Sequence, residues 1–141
     1  MVFVFDENIP NKIVEILSAL YKDCAGIHNL YSVEQLNMRG TKDVDLMPRV
    51  RNTFPEEKCI FISGDKNILR RPPELEAIKN ADFVGFICAP SSCQKNFLER
   101  GLYVMNLWPR ILELAEKSRP KTIYRMPAIS FVPTEKEFKK L

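Results

Sequence analysis

The chain has 141 residues, of which 45% are hydrophobic and 28% are charged, proportions typical of a globular domain and not of a disordered or fibrous protein. We expect a single domain over residues 1–141. No apolar stretch reaches the length of a membrane span, and the N-terminus lacks the basic start and long apolar segment of a secretory signal, so we expect a cytoplasmic protein with no membrane partner. The net charge of +3 is too small to indicate a partner by itself.

The first elements predict a strand, an acidic turn and a helix. The apolar run Val2–Phe5 is followed directly by Asp6. In Asn11–Tyr21 the apolar side chains recur at helical spacing, and the charged side chains lie off that face. Asn8 can cap this helix, and Pro10 is tolerated in a first turn that has no donors to lose.

A weaker strand is expected at residues 26–30, followed by a short helical or irregular piece. The next helix is predicted over residues 43–54, with Asp43 or Asp45 as its candidate cap. Pro48 limits this helix, because a proline must lie near the first turn or kink the segment.

Two short apolar runs, residues 59–62 and 83–87, are separated by the helix-competent segment 73–80. This is the spacing of a β-α-β unit, and it predicts a parallel sheet. The expected fold class is therefore α/β.

The C-terminal third is predicted to begin with helical residues 96–117, interrupted at Pro109 to give two pieces or one kinked helix. Residues 122–126 and 129–132 indicate short strands or extended chain. Residues 134–141 indicate a charged terminal helix or a frayed tail.

Three aspartates, Asp6, Asp43 and Asp65, fall where a predicted element ends or begins. If the strands before Asp6 and Asp65 are parallel neighbours, both acids project from the edge of the sheet where open α/β proteins place their sites. A carboxylate cluster of this kind calls for a divalent cation, Mg²⁺ or Mn²⁺. Such ions support phosphodiester hydrolysis, because they activate water and neutralise charge on the phosphate.

Each aspartate also has a simpler explanation. Asp43 or Asp45 could cap a helix, and Asp65 could initiate the turn that follows it. Asp6 is harder to explain in this way, since a charge at the end of a buried strand must be paired or bound to a metal. The three together favour a site.

A basic cluster, Lys66, Arg70 and Arg71, follows Asp65 closely. Further basic residues flank Asp43, namely Arg39, Lys42, Arg49 and Arg51. Positive charge beside candidate metal ligands suits a polyanionic substrate, and arginine can hold phosphate through two hydrogen bonds. Scattered surface Lys and Arg are the competing explanation.

Several other residues are assigned structural roles. Cys88 and Cys93 have C-x4-C spacing, but no second Cys or His pair lies nearby to complete a zinc site, so we expect reduced thiols. His28 is the only histidine and is expected to be packed in a strand. Three aromatic residues of the late helical region, Phe97, Tyr103 and Trp108, are expected in the core rather than in a base-stacking surface.

Taken in order, these pieces resemble the PIN-like domains, a branch of the PIN ribonuclease fold that includes VapC-type toxins. The matching segments are residues 5–10 (FDENIP), 40–46 (GTKDVDL), 61–68 (FISGDKNI), 70–74 (RRPPE) and 108–111 (WPRI). The resemblance implies a three-layer α/β/α sandwich with a mainly parallel central sheet.

The resemblance also implies a set of site residues. Glu74 is implied as a fourth metal-binding carboxylate or as one that supports the ligands without touching the metal. Asn67 stands where many relatives carry another acid, and Asp45 could replace Asp43 if the helix began later. The acids implied to be catalytic and metal-binding are Asp6, Asp43 and Asp65. The residues expected to bind substrate are Lys66, Arg70 and Arg71.

The activity that the resemblance implies is Mg²⁺- or Mn²⁺-dependent endonucleolytic cleavage of RNA by a toxin that a small antitoxin protein holds in check. PIN-like folds also often form homodimers. The alternative is a non-catalytic PIN-like module that binds RNA or a protein, an option that Asn67 raises. A receiver-like phosphoacceptor domain is a third candidate, but the strand at 83–87 has no lysine after it until Lys95.

Overall fold

The computed structural model describes residues 1–21, 29–88 and 96–128. His28, Cys24, Cys93 and Lys95 lie outside these ranges, as do the segments expected at 129–132 and 134–141. The strands are β1 (Val2–Phe5), β2 (Asn29–Ser32), β3 (Cys59–Ser63), β4 (Val84–Ile87) and β5 (Ile123–Arg125). The helices are α1 (Asn11–Tyr21), α2 (Asp43–Thr53), α3 (Pro72–Asn80) and α4 (Phe97–Lys117), with a 3₁₀ helix at Lys66–Arg70.

The five strands form one parallel sheet in the order β2-β1-β3-β4-β5. Alternate residues of each strand enter different cores, because side chains along a strand point to opposite faces. Phe3 and Phe5 of β1 pack with α1 and α4 on one face. Val2 and Val4 pack with α2 and α3 on the other. The prediction of an α/β/α sandwich with a parallel sheet is confirmed.

Both faces of the central strands are covered, which explains their near-continuous apolar sequence. All four residues of β1 are fully buried, and so are those of β3. Two-sided burial is usual for parallel strands, where helical crossovers lie on each face. A charged residue at the end of such a strand is therefore forced close to the protein interior.

Two of the helices contain a proline beyond their first turn. Pro48 lies inside α2, and Pro109 lies inside α4, which runs unbroken through 21 residues. Of the two alternatives predicted around Pro109, two helical pieces is therefore wrong, and a single helix is what forms. Both prolines are exposed, so each helix loses one backbone hydrogen bond on a side that solvent can reach.

The point where the chain reverses its direction across the sheet lies between β1 and β3. The chain leaves β1 toward α1 on one face, and it leaves β3 toward α3 on the other. Phe5 pairs with Ile62, so the two strands end side by side. Open α/β sheets bind ligands in the crevice at this reversal point, at the carboxyl ends of the strands.

No helix in the described ranges is both long and apolar enough to cross a membrane.

Candidate functional site

Asp6 is the first residue past β1, and it is buried, with only 6% of its surface exposed. Its Oδ1 accepts a hydrogen bond from the backbone N–H of Glu7 at 2.7 Å. Its Oδ2 accepts from the Asn8 amide at 3.2 Å and from the Ser63 hydroxyl at 2.6 Å. Burial raises the pKa of Asp6, and these three donors partly offset the rise.

Ser63 joins the ends of the two central strands. Its fully buried hydroxyl donates to Asp6 and accepts from the backbone N–H of Asp65 at 2.9 Å. Sequence reasoning missed this residue. The signal was a polar residue at the end of an apolar strand, but serine is also common in turns, so the signal alone is weak.

Asp65 lies at the same edge and is only partly exposed. One oxygen, Oδ1, accepts from the backbone N–H of Asn67 at 2.8 Å and thereby caps the 3₁₀ helix. The other, Oδ2, lies 3.6 Å from Nη1 of Arg71. Asp65 therefore initiates the turn that follows it, as its simpler explanation expects. It also lies beside Asp6.

Asp43 and Glu74 come from the first turns of α2 and α3, two helices that pack together. Asp43 is the first residue of α2, after the N-cap Lys42, so neither Asp43 nor Asp45 caps the helix. The positive end of each helix dipole faces these carboxylates and stabilises their charge. Asp45 is exposed and is not among the acids that act on Asp43.

The four acids influence one another electrostatically. The pKa of Asp43 is raised to about 7, first by burial and then by the negative charges of Asp6, Glu74 and Asp65. A hydrogen bond between the carboxyl groups of Asp43 and Glu74 adds to the rise. Such a bond needs a proton on one of them. The fold thus brings acids from four different parts of the chain into one region of negative electrostatic potential.

The contacts of the carboxylate oxygens show whether the acids suit a divalent cation. Oε2 of Glu74 is buried and accepts no hydrogen bond from the described residues, and Asp43 can donate to Glu74 only when protonated. A cation would satisfy that oxygen and relieve the repulsion at Asp43, so the donor set fits one. However, in the described part of the chain no three His, Cys, Asp or Glu side chains are already arranged to hold an ion.

Of the three basic residues expected to bind substrate, Arg71 is the one that contacts the acids. Its Nη1 lies 2.9 Å from Glu74 and 3.6 Å from Asp65, and about half of its side chain is exposed. Lys66 and Arg70 lie on the 3₁₀ helix between Asp65 and α3. Arg71 therefore offsets two of the four negative charges, while Asp6 and Asp43 have no ion-pair partner among the described residues.

The four basic residues that flank Asp43 in sequence separate in space. Arg51 lies at the far end of α2, where it donates to the backbone carbonyls of Ala81 and Glu57, each at 2.8 Å. Its guanidinium also stacks over Phe83 at 5.2 Å. Arg51 is a structural clamp and does not belong to the site. Arg39, Lys42 and Arg49 are exposed; the first two precede α2, and Arg49 lies past its middle and donates to the Thr41 hydroxyl at 2.9 Å.

Most of the described residues that were expected to have structural roles are buried, but one is exposed. Tyr103 and Trp108 are buried in the core with α1 and α4, as expected. Cys88 is buried at the end of β4. Phe97, however, is 57% exposed, so its assignment to the core was wrong.

No curated protein and no solved structure matches the chain. A family model described as "PIN like domain" matches residues 1–90, well over half of the 141 residues. The match covers all four acids and ends before α4, so the likeness at residues 108–111 remains a prediction. PIN domains are generally nucleases and typically depend on a divalent metal. This chain belongs to the PIN-like domain family.

Proposed function

We propose that this protein is a divalent-metal-dependent endoribonuclease whose site is formed by Asp6, Asp43, Asp65 and Glu74. The observation that carries the proposal is the convergence of these acids at the reversal point of the sheet, where burial and then the charges of the other three acids raise the pKa of Asp43 to about 7. Such repulsion costs free energy unless a cation offsets it. The family supports the same activity.

The acids would hold Mg²⁺ or Mn²⁺, which supplies the positive charge that activates water and stabilises negative charge on the phosphate. Asp6 is oriented for this role by Ser63, Asn8 and the backbone of Glu7. Its carboxylate has no freedom to turn without breaking these hydrogen bonds. A fixed ligand loses little conformational entropy when an ion binds.

Lys66, Arg70 and Arg71 are proposed to bind the phosphates of the RNA. Lys66 and Arg70 lie beside Asp65 and form no ion pair with another described residue. Arg71 can exchange its contacts with Glu74 and Asp65 for a phosphate once a cation offsets those two charges. Guanidinium groups bind phosphate in a bidentate geometry, which a lysine cannot reproduce.

The test is RNA cleavage with purified protein in Mg²⁺ or Mn²⁺. Asp6→Asn and Asp43→Asn are expected to lower the rate at least about a hundredfold, since each removes a charged ligand. Asp45→Asn is the matched control, because Asp45 lies two residues from Asp43 on the same turn but outside the interacting set. If Asp6→Asn and Asp43→Asn both cleaved RNA as fast as the wild type, the proposal would be overturned.

We also propose that the nuclease acts as the toxin of a toxin–antitoxin pair, is restrained by a small antitoxin protein and assembles as a homodimer. The VapC-like order of motifs supports this role. Expression of the wild-type chain should arrest growth, and expression of Asp6→Asn should not. Growth that is unaffected by the active enzyme would contradict the toxin role and leave the nuclease proposal standing.

A second candidate is a non-catalytic PIN-like module that binds RNA or a protein. Two observations favour it: Asn67 replaces an acid that many relatives carry, and no three acids in the described part of the chain are arranged to hold an ion. Calorimetric titration separates the two candidates. Absence of Mn²⁺ binding, together with intact RNA binding, supports the module.

A further inference from the structure

A cavity of about 370 Å³ opens beside the turn that follows Asp6, and we name it the Phe97 cavity after its exposed aromatic residue. Its size lies within the range of small-molecule sites. It shares a wall with the acid site, because Asn8 lines the cavity and also donates to Asp6 at 3.2 Å. The polar residues that line it are Glu7, Asn8, Asn11, Glu34 and Arg39.

Phe97 offers a stacking surface in this cavity. It is the first residue of α4, and 57% of its surface is exposed although its ring is a large apolar group. Proteins that bind single-stranded RNA stack unpaired bases on aromatic side chains in this way. A base that flanks a phosphate at the acids is close enough in the RNA chain to reach the adjoining cavity.

The position of Phe97 relative to the acids is fixed by Arg100. Nη1 of Arg100 donates to the backbone carbonyl of Asn8 at 3.4 Å, and its guanidinium carbon lies 6.0 Å from the centre of the Phe97 ring. Arg100 thus links the start of α4 to the turn that carries Asp6 and Asn8. A preformed cavity binds a ligand with a smaller cost in ordering.

The polar lining favours hydrogen-bond donors on the ligand. Glu7 is held through Oε1 by the backbone N–H of Gly40, and Glu34 is held through Oε2 by the Asn11 amide. No described residue donates to the other oxygen of either carboxylate, so both can accept from a ligand. Among the four RNA bases, guanine has two neighbouring donors, N1–H and the 2-amino group, on its Watson–Crick edge.

We propose that the Phe97 cavity binds one unstacked base of a single-stranded RNA substrate and selects guanine. This inference rests on the proposed function, because it makes the cavity the part of the nuclease that chooses the position of cleavage. Phe97 supplies stacking, and Glu7 and Glu34 supply the acceptors. Arg39 supplies a donor for the guanine carbonyl or for a phosphate.

The test measures binding of labelled, uridine-rich oligonucleotides that carry one central G, A, C or U, by fluorescence anisotropy in EDTA. The wild-type protein is expected to bind the G probe about tenfold more tightly than the others. Phe97→Ala should weaken that binding about tenfold, since loss of one stacking contact is worth about that factor. Glu34→Gln should reduce the preference for G while binding of the U probe stays within about twofold.

Leu98→Ala is the matched control. Leu98 follows Phe97 on the same helix and is 65% exposed, but it does not line the cavity. The Leu98→Ala variant is expected to bind each probe as tightly as the wild type does. The Phe97→Tyr variant should retain the stacking contact. Thermal unfolding of each variant checks that the fold is kept. We expect it to be kept, because Phe97 is exposed and contributes little to the core.

Two outcomes distinguish this inference from the proposed function. If the wild type cleaves RNA in Mg²⁺ but Phe97→Ala binds all four probes as tightly as the wild type does, the cavity proposal fails and the nuclease stands. If the wild type binds the G probe through Phe97 but cleaves nothing, the nuclease fails and the cavity stands. A preference for another base, or none, overturns the selection of guanine.

Discussion

The hydroxyl of Ser63 is the residue-scale feature on which the candidate site depends most. It is fully buried, and it is both donor to Asp6 and acceptor from Asp65. A buried carboxylate loses the hydration that stabilises its charge, so each hydrogen bond to it is worth more than one at the surface. Ser63 therefore couples the stability of the fold to the geometry of the acids.

Replacement of Ser63 by alanine is expected to lower the free energy of unfolding by about 1–3 kcal/mol, the usual cost of leaving a buried polar group without its partner. It should also weaken Mn²⁺ binding, because Asp6 loses the donor that orients it. Urea unfolding and calorimetric titration measure the two effects. Ser32→Ala is the control: Ser32 is buried at the end of β2, and its hydroxyl accepts from the backbone N–H of Gln35 instead of donating to Asp6. Equal loss of Mn²⁺ affinity in both variants would contradict the role of Ser63.

Asp43 makes the metal-free protein less stable as the pH rises. Its folded pKa of about 7 exceeds its ordinary value of 3.8. Between these pH values the unfolded chain releases a proton that the folded protein keeps, so the free energy of unfolding falls up to about pH 7 and then levels. Asp43→Asn removes this dependence, and at pH 8 in EDTA we expect it to be more stable than the wild type by about 1 kcal/mol, a figure reduced for solvent screening at this half-buried group.

Urea unfolding in EDTA at pH 5 and pH 8 measures this effect. Asp45→Asn serves as the control, since Asp45 is exposed on the same helical turn. Its pH dependence should follow that of the wild type. A similar change with pH in Asp43→Asn and the wild type would show that Asp43 is not the group responsible.

The sequence could predict some site residues and not others for identifiable reasons. Asp6 was predictable because a charge at the end of a fully apolar strand has no simple structural explanation. Ser63 was not, since a serine before a glycine is typical of any turn. Phe97 was misassigned because the periodicity of a helix shows which residues share a face but not whether another element covers that face.

At the scale of elements, the contact between α1 and α4 depends on a glycine. A methyl group at Gly101 would come within 2.3 Å of Cγ1 and 2.5 Å of Cδ1 of Ile13. The absence of a side chain lets the two helices approach closely over one face of the sheet. This contact also sets where α4 begins relative to the turn after β1, and hence where the Phe97 cavity lies.

Gly101→Ala is expected to lower the free energy of unfolding by about 1–2 kcal/mol, since overpacking outweighs the gain of about 1 kcal/mol in helix propensity. Ile13→Ala removes the two clashing atoms, so the double variant should lose less than the sum of the single variants. Thermal unfolding of the three proteins measures the coupling. Gly85→Ala is a milder control, because its nearest neighbours lie 3.4 Å or more away. Strict additivity would show that the contact does not limit packing.

Most elements were predictable because their patterns are long or bounded by clear breakers. The strand expected at 26–30 is present over Asn29–Ser32, so it runs past its expected end, and residues 26–28 lie outside the described ranges. The sequence around this strand has no clear breaker that marks where the strand ends. The observed end is set by the pairing of β2 with β1. Of the two alternatives predicted at Pro109, the break into two pieces was wrong, because a proline on an exposed helix face costs one hydrogen bond and the packing of the opposite face exceeds that cost.

At the scale of the whole molecule, the strand order brings acids that are distant in sequence close together. Asp6 and Asp65 meet because β1 and β3 are neighbours and parallel, although 58 residues lie between the two acids. Asp43 and Glu74 join them because α2 and α3 cover the same face of the sheet. Each acid alone has a local explanation, so the order of the strands is what turns four separate carboxylates into one electrostatic unit.

Such a unit should make the stability of the whole protein depend on divalent cations. A ligand that binds only the folded state at a hundred times its dissociation constant adds about 2.7 kcal/mol, a rise of about 10 °C in Tm for a chain of this size. We expect this rise with Mn²⁺ in the wild type. It should be larger at pH 8 than at pH 5.5, since the proton held by Asp43 below about pH 7 competes with the cation.

Differential scanning fluorimetry with increasing Mn²⁺ at both pH values measures the effect, and Asp6→Asn and Asp43→Asn are expected to abolish most of it. Glu113→Gln is the control for non-specific binding, because Glu113 pairs with Lys117 on the surface of α4, away from the sheet edge. If Glu113→Gln reduced the rise as much as Asp43→Asn did, the cation would be binding to the general surface. A rise confined to the variants that keep Asp6 and Asp43 instead requires that the ion binds where the two central strands end.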